Sequence, residues 1–144
     1  MKLAINFFTE DIDFKFRRKK DIKSWIKKVI CSENKVIGNI NYIFTSDKLL
    51  FEINRKYLDH STYTDIITFN YNEENILNGD IYISIDRVKE NAEVYSDSFD
   101  KELSRVLVHG VLHLIGYDDV SDSLKEVMRQ KEDLYLQLLA EENL

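Results

Sequence analysis

The sequence predicts an α+β protein in which a small mixed β-sheet of about four strands is covered by helices. Three observations carry this. Strand-like runs are confined to the first 85 or so residues, helical periodicity dominates the remainder, and two of the β-branched runs are close enough to form a hairpin. Leu3 to Phe8 reads as the first strand. A helix follows from about Lys19 to Glu33, in which Ile22, Trp25, Ile26, Val29 and Ile30 fall on one face. Gly38 to Thr45 is strand-like, and Ser46 and Asp47 suit the cap of a helix that runs to about Tyr57. Asp65 to Phe69 and Asp80 to Ile85 are expected to pair across a polar loop containing Asn78-Gly79. Arg87 to Tyr95, Phe99 to Ile115 and Ser121 to about Ala140 read as helices.

At 144 residues the chain suits one domain, 1–144, with enough length to bury a core unaided. There is no proline, there are only four glycines, and no repeat or Gly/Ser-rich linker marks a boundary. The apolar fraction of 44% argues for a packed globule, and no apolar run is long enough to span a bilayer. The N-terminal stretch MKLAINFFTEDIDF is broken by Asn6 and acids, unlike a signal peptide, so a cytoplasmic location is expected. The lone Cys31 cannot form an internal disulfide and is expected to pack in the core.

The 20 Lys+Arg against 26 Asp+Glu give a net charge of −6, which speaks against a nucleic-acid partner unless the cations are clustered. They are. Arg17 through Lys28 form a basic segment whose Lys20, Lys23 and Lys27 make a stripe beside the apolar face of the first helix, while acids such as Glu126, Glu132 and Glu141 gather near the end. A plain solvated helix face would look the same.

The residues able to do chemistry lie in the Phe99 to Ile115 segment. His109 and His113 are four apart, so at about 100° per residue they project side by side, one turn above the other. Gly116 can take a positive φ and stop the helix, which lets Asp118 or Asp119 fold back toward the imidazoles. Two imidazoles, one carboxylate and an open position describe a catalytic zinc site, although non-haem iron uses the same set. His60, in the polar run Asp59 to Thr62, is the spare proton donor. Asp65 and Asp80 flank the hairpin and read as turn or strand-end groups.

The string His109-Gly110-Val111-Leu112-His113-Leu114-Ile115-Gly116-Tyr117-Asp118-Asp119 resembles the YbeY family signature H-G-x-L-H-L-x-G-Y-D-H, with aspartate in place of the last histidine. Asn54 to Tyr57 followed by Thr64 to Phe69 resembles a second block of that family and Gly79 to Ser84 a third, in the same order and spacing. The resemblance implies a zincin-like fold, one zinc ion per chain held by His109, His113 and Asp119, and single-strand-specific endoribonuclease activity in ribosomal RNA maturation. The implied partners are single-stranded or ribosomal RNA and the small ribosomal subunit, with neither DNA nor a membrane. The arginine that the family places after its Asn-x-x-Tyr block falls at Leu58, so Arg55, Lys56 or Arg105 is expected to contact RNA in its stead.

Two other functions fit part of this pattern. A metalloprotease would carry a glutamate as general base after the first histidine, where this chain has Gly110. A non-catalytic ribosome assembly factor with a structural zinc site would account for the missing arginine.

Overall fold

The computed structural model describes residues 4–59 and 62–142. Their element order is β1 (Ala4–Glu10), α1 (Lys19–Ser32), β2 (Val36–Thr45), α2 (Asp47–Leu58), β3 (Ile66–Asn70), β4 (Ile76–Ser84), α3 (Ile85–Val94), α4 (Phe99–Ile115) and α5 (Asp122–Glu142). The strands form one four-stranded sheet in the order β1-β2-β4-β3. β1 and β4 run parallel to β2, whereas β3 pairs antiparallel with β4 and closes one edge. This is the mixed α+β sheet expected from the sequence.

The apolar face of α1 accounts for its docking. Ile22, Trp25, Ile26, Val29 and Ile30 are all buried, and the Trp25 indole donates to the carbonyl of Tyr135 at 2.8 Å, tying α1 to α5. α2 begins where expected, with the Ser46 hydroxyl accepting from the Leu49 amide at 3.1 Å. In β2 and β4, Ile40, Tyr42, Phe44, Ile81 and Ile83 are fully buried in the same core as α4. The Tyr42 hydroxyl reaches the carbonyl of Leu107 at 2.7 Å, so even the polar tip of this core residue is satisfied.

Several expectations shift. β4 starts at Ile76, so Asn78-Gly79 lies inside a strand rather than in the hairpin turn. Gly79 pairs with Asn70 and lies beneath Leu114 of α4, where an added Cβ would come within 2.8 Å of that side chain and of the Phe69 carbonyl. The glycine therefore answers a close approach, not a turn. α3 begins at Ile85, two residues before the expected start, because the Ser84 hydroxyl caps it by accepting from the Arg87 amide. Cys31 is exposed and takes no part in the core. Leu3 and His60 lie outside the described residues. Among the described residues no helix is long and apolar enough to cross a membrane.

Replacing Trp25 by Ala removes a fully buried indole and the bond between α1 and α5. The expected cost is about 3–5 kcal/mol of unfolding free energy, measured by denaturant titration; a loss under about 1 kcal/mol would show that α1 is not part of the cooperative core.

Candidate metal centre

Helix α4 carries the site. Ser98 caps it by accepting from the Lys101 amide at 3.1 Å, and Leu103, Val106, Leu107, Val111 and Leu114 bury one broad face. At Gly110 the helix backbone comes so close to the sheet that a Cβ would meet Ile81 at 2.8 Å and Ile66 at 3.0 Å. That contact sets His109 and His113 beside β3, the edge strand. The helix ends at Gly116, whose φ of 126° is open to glycine and strained for other residues. The amides of Gly116 and Tyr117 turn back onto the carbonyls of His113 and Leu112, and the chain reverses.

The reversal brings a carboxylate to the imidazoles. His109 Nε2 and His113 Nε2 are 3.0 Å apart, and Asp119 Oδ2 lies 3.6 Å from each. Donors about 2.0–2.1 Å from a tetrahedral ion stand about 3.3–3.4 Å from one another, so these spacings suit a single small cation. His109, His113 and Asp119 can together hold a metal ion. Of the two aspartates that the sequence left open, Asp118 is engaged in the turn, where its Oδ1 accepts from the Asp119 amide at 2.7 Å.

Each imidazole is oriented through its other nitrogen. His109 Nδ1 is 2.6 Å from Glu132 Oε2, and His113 Nδ1 is 3.0 Å from the carbonyl of Tyr117. Both contacts call for Nδ1–H donors, which leave the two Nε2 lone pairs facing the same point. The Tyr117 turn is anchored in its turn by Glu33, which accepts from the Tyr117 hydroxyl at 2.5 Å, from Lys131 at 3.1 Å and from Tyr135.

Burial raises the Glu132 carboxyl, but hydrogen bonds from His109 and Arg105 outweigh it and hold the group below the usual carboxylate range. For His109, burial works against protonation, yet Glu132 and then Asp119 outweigh it and push the imidazole up. His113 moves down, through burial and the neighbouring His109.

The centre opens on two cavities. One, of about 710 Å³, is lined by His109, His113, Asp119, Asp65, Glu102 and Glu132 among others. The other, of about 460 Å³, follows β3 past Asn54, Leu58, Thr68 and Asn70, and shares Thr64, Ile66 and His113 with the first. Asp65 stands immediately before β3, as expected of a strand-end group, and also lines the cleft, whereas Asp80 accepts from Asn41 at 3.0 Å and lines neither cavity. Burial raises the Asp65 and Glu102 carboxyls above their usual range.

The expected RNA contacts are dispersed. Lys20, Lys23 and Lys27 lie on α1, which contributes nothing to either cavity, and Lys23 sits 6.0 Å from the Phe7 ring centroid. Arg55 and Lys56 are exposed on α2. Arg105 reaches the cleft but is held by Glu132 at 2.9 Å and Asp133 at 2.8 Å, so it is a clamp on the site rather than a free cation.

Glu132 and Glu102 escaped the sequence reading as site residues. One signal was present for Glu132: it falls with Met128, Tyr135 and Leu139 on the buried stripe of α5, and an acid on an apolar stripe needs a buried partner.

The profile of the family described as Endoribonuclease YbeY matches residues 4–140. A protein of Christiangramia forsetii named Endoribonuclease YbeY is 52% identical over 132 residues, covering 92% of each chain. Another of that name from Flavobacterium psychrophilum is 50% identical over 131 residues, covering 91% of this chain and 94% of its own. The solution structure of TM1509 from Thermotoga maritima superposes with a TM-score of 0.68 at 29% identity, covering 96% of this chain and 90% of that one. The chain belongs to the YbeY family.

Two outcomes follow from the buried carboxyls. Glu132→Ala frees the His109 ring, and metal affinity should fall about 10- to 100-fold in a competition titration with a chromophoric chelator; unchanged affinity would contradict the orienting role. A carboxyl raised on folding costs stability above its folded pKa and none once it is protonated in both states. The metal-free Glu102→Gln protein should therefore melt higher than wild type at pH 7, with the gain vanishing toward pH 4. An equal gain at both pH values would sink the electrostatic explanation.

Proposed function

We propose that this protein is a zinc-dependent endoribonuclease that cuts single-stranded RNA during ribosomal RNA processing, in the cytoplasm and in company with the small ribosomal subunit. The observation that carries the reading is the convergence of His109, His113 and Asp119 where two cavities meet beside an edge strand. An extended strand of RNA can enter along one cavity and leave along the other, which suits an internal cut. The names of the relatives point the same way.

Zinc bound by such a donor set acidifies water and polarises a phosphoryl oxygen. The protein's own residues prepare that chemistry. Glu132 and the Tyr117 carbonyl fix both imidazoles with Nε2 forward, so no reorganisation is needed when the substrate arrives. Asp119 would complete the donor set with a negative charge that a third imidazole would lack, so an ion held there would acidify water less strongly. Asp65 and Glu102 line the cleft with carboxyls raised by burial, which favours their holding a proton there, and the sequence offers His60 as a further donor. Along the adjoining groove, Thr68 and Asn70 offer neutral hydrogen-bonding groups, which can meet base edges without repelling phosphate, while the buried Asn54 donates to the Thr62 carbonyl at 2.9 Å and braces the wall. Lys20, Lys23 and Lys27, with Arg55 and Lys56, would hold more distant phosphates.

The glutamate base of the H-E-x-x-H peptidases is missing. Gly110 is packed against Ile81 and Ile66, so the position after the first histidine has no room for a glutamate side chain.

Purified protein should carry about one zinc per chain and cleave a single-stranded RNA, and His113→Ala should abolish both. Metal content retained by His113→Ala would refute the centre, and a metal-loaded wild type inert on RNA would favour the assembly-factor role. Asp119→His should lower the pH of half-maximal cleavage, because it removes negative charge from the donor set; a shift toward higher pH would contradict the charge argument.

A further inference from the structure

The geometry points to Arg129 as the side chain that grips the phosphodiester at the metal centre, an assignment that rests on the nuclease reading above. The cleft around His109 is lined by the carboxyls of Asp65, Asp97, Glu102, Asp119 and Glu132. A phosphodiester entering it meets mostly negative charge and needs a cation whose donors are not already committed. Among the described residues, the lysines and arginines lining this cavity are Arg105 and Arg129.

Arg105 is committed. Its guanidinium reaches Glu132 at 2.9 Å and Asp133 at 2.8 Å, and its side chain is 14% exposed. Drawing it toward substrate would strip the buried Glu132 carboxylate of its partner, a costly step in a desolvated site. Arg129 is in the opposite situation. Its side chain is 60% exposed, and its ionic contact is a 3.9 Å approach to Glu132, at the outer limit of ion pairing. That carboxylate already has closer partners in Arg105 and His109.

Arg129 precedes Glu132 by three residues on α5, so it shares the helix face that clamps His109 and lies over the cleft. The adjoining groove offers no alternative, for its described lining of Asn54, Leu58, Thr68 and Asn70 with its neighbours contains no lysine or arginine. Arg55 and Lys56 line neither cavity. A guanidinium presents paired donors that match two phosphate oxygens, and its charge does not titrate in the working range. Arg129 is thus a catalytic residue that meets the substrate on the α5 side of the cleft. An arginine at position 58 would meet it from the β3 side, because Leu58 lines the groove that shares His113.

The test is steady-state cleavage of a single-stranded RNA oligonucleotide by the zinc-loaded full-length protein. Arg129→Gln should lower kcat/KM about 100-fold or more, chiefly in kcat, with zinc content and thermal melting unchanged. Lys125→Gln, one turn away on α5 and outside the cleft, controls for net charge and should stay within about twofold of wild type. Adding Leu58→Arg to Arg129→Gln should restore at least about tenfold, since position 58 lines the groove that adjoins the centre at His113. Arg129→Gln within about twofold of wild type, or an equal loss in Lys125→Gln, would overturn the assignment. If wild type cleaves no RNA with any divalent metal, the nuclease reading fails on that result alone. The grip is then judged by binding of the same oligonucleotide to the zinc-loaded protein. Arg129→Gln should weaken it at least about fivefold, and unchanged affinity would overturn the assignment.

Discussion

Helix α4 can lie where it does because residue 110 has no side chain. The backbone at Gly110 rests on Ile81 and Ile66, and any Cβ there would press into both. From this contact the rest follows. Leu103, Val106, Leu107, Val111 and Leu114 seat into the sheet, and the histidines on either side of the glycine emerge at its β3 edge. The same glycine that lets the helix approach stands where the H-E-x-x-H peptidases carry their glutamate. One backbone contact therefore fixes the position of the metal centre and narrows its chemistry.

Around that fixed helix, the site is assembled from charges that would be unfavourable singly. Glu132 is buried between α4 and α5 and is tolerable there because Arg105 and His109 both donate to it. The group orients His109 and ties α5 to the catalytic helix, so orientation and tertiary packing are one interaction. Glu33 does the matching work on the other side, holding the Tyr117 turn whose carbonyl orients His113. Asp65 and Glu102 have no comparable compensation, and their carboxyls are raised by burial. Their placement costs stability when they are ionised.

Much of this was legible in the sequence where the signal is local. The stripe of Ile22, Trp25, Ile26, Val29 and Ile30 specified the buried face of α1, and the His-x3-His spacing with Gly116 specified two donors and a chain reversal. Local signals also misled. Asn78-Gly79 is a strong turn dipeptide, yet here the glycine admits Leu114 and lies inside β4. Cys31 follows the buried Ile30 but projects from the exposed side of α1. What the sequence hid was long range. Glu132 meets His109 across 23 positions and Glu33 meets Tyr117 across 84, and no periodicity encodes such pairs. Arg105 looked like a cation open to RNA because its two acidic partners lie on another helix.

The two α4 imidazoles and the Asp119 carboxylate are placed to bind one ion together. X-ray absorption at the zinc edge of the zinc-loaded protein reads that donor set directly. The expected spectrum shows nitrogen and oxygen neighbours at about 2.0–2.1 Å with outer-shell scattering from two imidazoles, reduced to one in His109→Ala. A spectrum without imidazole scattering, or one left unchanged by His109→Ala, would contradict it.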